Sequence, residues 1–364
     1  MSFDFGETLK IEIYGSSHGR CVGAVIRGLP AGLVCDAERI AQMLRRRAPG
    51  RGEYATARRE ADEPQVLSGV RGGVLTGEAV RVEIANTDVR GGDYDELRGL
   101  PRPGHADLPA YAKYGVDADL RGGGRFSGRM TAPLVFAGAL CLPLLESRGV
   151  SLGSHLLAIG GVRETGFDPV GLDAATLRRL AQMDFPVLDE ATGERMRAEI
   201  AAAASAGDSV GGVVECAATG LPCGAGETLF SSLESRIAAA VFAVPGVRGV
   251  EFGAGFAAAA MRGSENNDEY YFDGGGRVRS RTNHHGGVLG GLATGMPLIF
   301  RAALKPTPSI AREQRTVDLK SGGERPLSVR GRHDPCIAPR AAVCCEAALA
   351  LALTDMLLSE RQGG

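Results

Sequence analysis

The chain has 364 residues, 44% of them hydrophobic and 23% charged, with a formal net charge of −2. That length allows a large core, and the near-neutral balance offers no global field to draw the protein to nucleic acid or to a membrane. Trp is absent and aromatic residues are 5% of the chain, which leaves little on which bases could stack. Lys occurs only at Lys10, Lys113, Lys305 and Lys320. Either a biased genome or the recognition of carboxylate and phosphate by planar guanidinium accounts for such reliance on Arg. None of the 8 Cys residues forms a CxxC or has zinc-ligand spacing with a His, so no metal site is expected. The opening MSFDFGETLK is polar and acidic, unlike a signal peptide. No apolar run is expected to reach the ~20 residues of a membrane span. These features together read as a reduced, cytoplasmic protein.

In chain order, LKIEIYG and GAVIRG read as two short strands around a Gly/Ser/His turn. Asp36 caps the helix AERIAQMLRRR, whose Ile40, Met43 and Leu44 share one face. Arg45, Arg46 and Arg47 complement its negative end, and Pro49-Gly50 stop it. VLSGV and VRVEIAN read as strands, and GGDYDELRG as a polar loop. A long apolar helix is expected over 127–147, kinked near its C-terminal end by Pro143. Beyond it, LGSHLLAIGGV, VGGVVECAATG and LIFRAAL read as strands. LDAATLRRLAQM, ERMRAEIAAAASAG and SSLESRIAAAVFAV read as helices, and a strongly apolar helix closes the chain over 338–358. Alternating strand and helix give a mixed α and β class. No linker or short-period repeat divides the chain, so a single domain over 1–364 is expected.

Polar chemistry concentrates in stretches punctuated by Gly or Pro. GSSHG places His18 beside Ser17 on bare backbone that a ligand can approach. RPGHAD presents His105 beside Asp107 after a turn, and two readings stand: a cap for the following helix, or a catalytic pair. RGGGRFSGR offers backbone N–H groups and guanidinium groups at the head of a helix, an arrangement suited to an anion, although an ordinary Gly turn would look the same. It is neither a Walker A loop nor a GxGxxG fingerprint. GRHDPC joins Arg332, His333 and Asp334 ahead of Pro335, either as a plain loop or as a base held beside a cation. KPTPS follows a strand. His284-His285 reads as loop, and His155, in an apolar strand, as a core or rim histidine. The residues alone describe an enzyme that moves protons on a small polyanion.

The ordered series GSSHG, LRRRAPG with ARREADE, LSGV, NTD, RPGHAD with YAKYG, RGGGRFSGR, GVEFGAGF, RGSENND, NHHGGVLGG, LKPTPS and GRHDPC resembles the chorismate synthase family across almost the whole chain. The resemblance implies an α+β fold, a β-α-β sandwich with helices packed between antiparallel sheets, assembled as a homotetramer. It implies a lyase of the shikimate pathway and of aromatic amino-acid biosynthesis. The reaction is a 1,4-anti elimination of phosphate from 5-enolpyruvylshikimate 3-phosphate, and it requires reduced FMN although no net redox change occurs. The source of reduced flavin, an NADPH-dependent activity of the chain itself or an external reductase, stays open. The alternatives are a flavin-binding relative acting on another phosphorylated carboxylate and a non-catalytic anion-binding protein of the same fold.

Carried over residue by residue, the resemblance makes His18 the donor that protonates reduced flavin, with Ser17 beside it. His105 assists phosphate departure, and Asp334 serves in removal of the C6 proton. Arg46 and Arg129 match substrate-binding arginines. Arg125, Phe126 and Ser127 fall where the family contacts FMN. The rest of that flavin site falls on Gly290, on Lys305, Pro306, Thr307, Pro308 and Ser309, and on Arg332. The sequence departs from the family pattern at Ser16, where Glu is usual, and at Phe126 and Met130. Glu53 stands where an Arg is usual, with Arg51 as a candidate substitute, and Pro245-Gly246 replaces an Asn-Ala pair that touches flavin.

Overall fold

Two five-stranded antiparallel sheets enclose a layer of helices. The structure, a computed structural model, describes residues 3–50, 60–87, 98–116, 118–329 and 333–359. The expectations placed on Arg51, Glu53, Arg332 and most of the GGDYDELRG loop lie outside the described residues.

The first sheet comprises β1 (Phe3–Phe5), β2 (Lys10–Gly15), β3 (Cys21–Arg27), β4 (Pro64–Ser68) and β5 (Val80–Ala85), in the order β1-β2-β3-β5-β4. In β5 the alternation of VRVEIA turns Val80, Val82 and Ile84 into the core and leaves Arg81 and Ala85 exposed, the pattern of an antiparallel sheet with one covered face. The register sets Ile11 opposite Ile26 and Val22 opposite Ile84. Between β3 and β4 runs α1 (Ala37–Arg47), which begins where Asp36 accepts the Arg39 N–H at 3.0 Å.

The second sheet is built from β6 (Ser151–Ile159), β7 (Val162–Arg163), β8 (Gly212–Thr219), β9 (Val247–Phe252) and β10 (Leu298–Leu304), ordered β9-β10-β8-β6-β7. Its register puts His155 directly across from Glu215. Three later helices begin at Asp173, Asp189 and Ser232, whose side chains each accept a backbone N–H of the first turn.

Sandwiched between the sheets are α3 (Thr131–Ser147) and α7 (Ala338–Ser359); α2 is Asp107–Tyr114, α4 Ala174–Leu180, α5 Glu190–Ser205 and α6 Leu233–Phe242. Helix α3 packs on the first sheet, α7 on the second, and the two pack on each other. They approach so closely that a Cβ on Gly138 would lie 2.5 Å from that of Ala347. Helix α3 starts at Thr131, not at Ser127, because Ser127 caps a 3-10 turn over Gly128–Met130 first; the helix then continues through Pro143.

One expectation needs correction. The stretch Arg121–Ser147 and the 22-residue helix Ala338–Ser359 are long and apolar enough to cross a membrane. The structure gives their hydrophobicity another use: the apolar window of the second is wholly buried inside the protein, and most of the first is too. Even the acidic residues of α7 are satisfied within the fold. Asp355 accepts the backbone N–H groups of Thr8 and Leu9, each at 2.8 Å, and Arg236 at 2.9 Å, pinning the N-terminal segment to the C-terminal helix. The main hydrophobic core runs from Leu9 to Leu358, and a smaller cluster gathers Phe167, Leu177, Leu180, Ala217 and Ile299.

Candidate active site

The polar loops collect at one end of this sandwich. The GSSHG turn joins β2 to β3 and rests on the Gly-rich loop before α3. Ser17 N–H donates to the Gly124 carbonyl at 3.1 Å, and Ser17 Oγ lies 3.1 Å from both the Arg121 carbonyl and His18 Nδ1. Asn86 holds the turn from the other side, donating to the carbonyls of Ser16 at 2.9 Å and Gly19 at 2.7 Å. Gly122, Gly123 and Gly124 have φ of 56°, 90° and 53°, values that favour residues without a Cβ. Close approach adds to this. A Cβ on Gly122 would overlap His18 Cε1, and one on Gly123 would sit 3.4 Å from His105 Nε2. Adjacent glycines thus bring two histidines against one strip of backbone.

His105 follows the turn of RPGHAD, where its N–H donates to the Arg102 carbonyl at 3.1 Å. The helix-cap reading of Asp107 gives way here. The N-cap is Ala106, with no side-chain cap, and the Asp107 carboxylate turns back toward its own loop. It accepts His105 Nδ1 at 2.6 Å, Arg102 Nε at 2.7 Å and Arg102 Nη2 at 2.9 Å. Burial pushes the Asp107 carboxyl up, but the hydrogen bonds from His105 and Arg102 outweigh it and hold the group well below the usual carboxylate range. His105 retains only 15% of its side-chain exposure, so it is less open than the sequence suggests.

Asp334, from GRHDPC, pairs with Arg340 on the first turn of α7, and Arg340 Nε also donates to the Arg47 carbonyl at 2.8 Å. Its neighbour His333 has its pKa lowered to about 4, first by burial and then by the nearby Arg102 and His105. A further buried network holds the rear wall. Asp62 pairs with both Arg47 and Arg129, and Arg129 also donates to Asn86 Oδ1 and the Ala85 carbonyl, both at 2.8 Å.

Arg102, His105, Arg129, His333, Asp334 and Arg340 open onto a cavity of about 640 Å³. KPTPS forms another side: Lys305 donates to the Gly104 carbonyl, and Ser309 accepts Arg102 Nη1 at 3.2 Å. Burial and the nearby Arg248 lower the Lys305 pKa, so two cations face one region. Thr307 Oγ1 is buried at the cavity with no hydrogen-bond partner among the described residues.

Of the residues singled out in the sequence, His105, Asp334, Arg125, Phe126, Ser127 and Arg129 line this cavity, as does Lys305 through Ser309. Ser17 and His18 do not line it, but touch Gly122 on its wall. Gly290 lies in the turn between Leu289 and Gly291 and is not a lining residue. Arg46 is also elsewhere. It is buried in a bidentate pair with Glu346, at 2.6 and 2.8 Å, which also receives Ser154 Oγ at 2.6 Å. The neighbouring Arg47 lines the cavity instead. Sequence reasoning gave no role to Arg102, His333, Arg340 or Arg248, all in the lining. The first two sit inside quoted motifs, which was a usable signal. Arg340 and Arg248 carry none.

The chorismate synthase family model matches residues 9–358. The chorismate synthase of Korarchaeum cryptofilum is 44% identical over 360 residues, covering 99% of this chain and 98% of that protein. That of Aeropyrum pernix is 47% identical over 354 residues, 97% of this chain and 92% of its own. A crystal structure of chorismate synthase superposes with a TM-score of 0.76 at 28% identity, covering 99% of this chain and 94% of the other.

Proposed function

Since the chain belongs to the chorismate synthase family and is a lyase of that type, we propose that the cavity beside the Gly-rich loop is where it eliminates phosphate from 5-enolpyruvylshikimate 3-phosphate, with reduced FMN as cofactor. The observation that carries this assignment is convergence. His105, Asp334, the RGGGRFSGR loop and KPTPS, drawn from stretches more than 200 residues apart, line one cavity.

The cavity suits both molecules. The cations Lys305, Arg248 and Arg125 face it, which favours phosphate and carboxylate groups. Pro245, Val247, Ile337 and Leu134 give it apolar walls on which a flat ring system can lie. The unpartnered Thr307 hydroxyl is a polar group left for a ligand to satisfy. We assign Lys305 to Ser309 with Arg125, Phe126 and Ser127 to the cofactor, and we include Gly290 and Arg332 on the resemblance alone. When bound, reduced FMN supplies electron density to a reaction that is redox-neutral overall.

The chain's own groups handle the protons. His105 gives a proton to the departing phosphate, and Asp334 takes up the proton lost from C6, its side chain oriented by Arg340. His18, engaged at Nδ1 by Ser17, keeps the role of proton donor to the reduced cofactor. Arg129 has its donors taken by Asp62, Asn86 and Ala85, so its contribution to substrate binding is to hold the wall. Arg46 contributes through its buried ion pair with Glu346, away from the cavity.

The main core, which draws on both sheets and the helices between them, supports reading the chain as one domain. Exposed Phe230, at 96%, Phe256, at 87%, and Phe272, at 75%, support association into the homotetramer. Eight cysteines without disulfides fit a reducing cytoplasm. Reduced flavin comes either from an NADPH-dependent activity of the chain or from a separate reductase.

The test is anaerobic turnover of 5-enolpyruvylshikimate 3-phosphate with excess reduced FMN. Chorismate and phosphate are expected in equal amounts, and His105→Gln and Asp334→Asn are expected to lose ~10²–10⁴-fold in kcat while still binding FMN. Near-normal turnover in both variants would place the chemistry elsewhere.

A further inference from the structure

Asp107 spends its carboxylate on its own loop. It is 4% exposed and sits at the first residue of α2. Oδ2 accepts the Arg102 backbone N–H at 3.1 Å and Nε at 2.7 Å; Oδ1 accepts Arg102 Nη2 at 2.9 Å and meets His105 Nδ1 at 2.6 Å. Four donors on two oxygens leave this group no freedom to turn. A buried carboxylate clamped by a guanidinium stays ionised and has no hydrogen to give. The hydrogen in the 2.6 Å contact therefore belongs to the imidazole.

Arg102 Nη2 does not compete for that nitrogen. It lies 3.2 Å from Nδ1 and 3.4 Å from Nε2 of the same ring. A donor so nearly equidistant from both nitrogens sits over the ring rather than along either in-plane lone pair. The opposite edge of the imidazole meets Gly123, whose absent Cβ would stand 3.4 Å from Nε2. His105 is thus tied at Nδ1 and open at Nε2 on the side of the Gly-rich loop.

We propose that Asp107 is the positioning residue of His105. It accepts the hydrogen bond from Nδ1–H and fixes the ring so that Nε2 is the nitrogen that exchanges a proton with a ligand in the cavity: the imidazolium gives its Nε2 proton to the departing phosphate and returns to the neutral ring with its hydrogen on Nδ1. Arg102 acts one step further back, holding Asp107. This rests on the assignment of His105 as proton donor to the leaving phosphate. Asp107 itself neither gains nor loses a proton in the reaction.

The experiment has two arms, both on the full-length chain. First, long-range 15N–1H correlation spectra of protein labelled with 15N-histidine report the tautomer, the His105 signals being those lost in His105→Gln. The neutral ring is expected with its hydrogen on Nδ1; a neutral ring with its hydrogen on Nε2 overturns the proposal whatever Asp107→Asn does. Second, Asp107→Asn is expected to lower kcat by up to ~10⁴-fold, as a carboxamide that permits the wrong tautomer does in a comparable pair, with substrate and FMN dissociation constants unchanged. If Asp107→Asn keeps wild-type kcat while His105→Gln loses it, the positioning role is wrong and the His105 assignment stands. If His105→Gln keeps full turnover, the His105 assignment falls and the proposal with it.

Discussion

Gly122 and His18 touch with no room for a side chain between them: a Cβ on Gly122 would overlap the imidazole Cε1. The same residue has a φ of 56°. Gly122→Ala therefore meets two penalties, ~1–2 kcal/mol of left-handed backbone strain and displacement of the ring it supports. It is expected to lose turnover well beyond its loss in Tm. Gly161→Ala is the control, because Gly161 lies outside the cavity, has no positive φ and has nothing within 4 Å of its Cβ position. Melting curves and kcat for the two variants check this; equal activity in both would show that His18 needs no such fit.

Arg46 invites a different substitution. Its guanidinium is matched by Glu346 in a pair whose side chains are 4% and 3% exposed. Removing one member leaves an uncompensated buried charge, at a cost of ~3–5 kcal/mol. Arg46→Met is expected to lower stability by that order while the folded protein binds substrate normally. Arg46→Met combined with Glu346→Leu is expected to recover much of the loss. Urea melts and substrate titration decide it: intact stability with lost binding would return Arg46 to the substrate site.

The contrast between Arg46 and Arg47 shows what the sequence carried and what it lacked. Local rules sufficed for α1, since Asp36, the apolar face of Ile40, Met43 and Leu44, and the terminal arginines are all close in sequence. They could not separate two adjacent arginines, both buried, because Glu346 lies 300 residues away in an apolar helix. The same holds at the site. RPGHAD, RGGGRFSGR, KPTPS and GRHDPC were legible as loops with chemistry because Gly and Pro mark backbone that must turn. Their convergence is a product of the two sheets, and Arg340 on α7 looks in sequence like any other helix residue. The His105–Asp107 contact was visible as spacing, but whether Asp107 capped its helix or held the ring depended on a side-chain rotation that spacing does not encode.

His333 makes acid stability a readout of burial. Its folded pKa of about 4 lies below the ~6.5 of an unperturbed His. Between those values the unfolded chain binds a proton that the folded protein does not, so stability rises with pH and falls as the solution is acidified through that window. His333→Gln is expected to flatten the dependence between about pH 6.5 and 4. Asp107 and Asp62, with lowered pKa values, act in the same direction at lower pH, where their native ion pairs are lost. Urea midpoints across pH 4–7 for wild type and His333→Gln test this. Parallel curves would mean that another group controls the acid limb.

His155 gives the opposite sign at the other end of the scale. The imidazole is fully buried in β6, with Nδ1 2.7 Å from Glu164 Oε2, Nε2 2.9 Å from Glu215 Oε2, and the Phe167 ring 4.4 Å away. Both carboxylates are anchored by backbone. Glu215 accepts the Phe167 N–H at 2.6 Å; Glu164 accepts those of Leu188 at 3.0 Å and Asp189 at 2.6 Å, just where α5 begins. Burial works against a charged His155, but the hydrogen bonds and charges of the two glutamates outweigh it and raise its pKa. The folded state therefore holds its proton more tightly than the unfolded chain. That contribution is fully present below about pH 6.5, the unperturbed value, and is lost as pH rises through the folded pKa. His155→Gln leaves two buried carboxylates without their cation, so the variant is expected to be ~3–5 kcal/mol less stable near neutrality. The gap to wild type is expected to narrow as pH rises, because wild type forfeits the same charge there. Urea midpoints for both proteins from pH 6 to 10 measure the gap. A gap that holds constant or widens would show that the ring stabilises the sheet by packing on Phe167 and not by its charge.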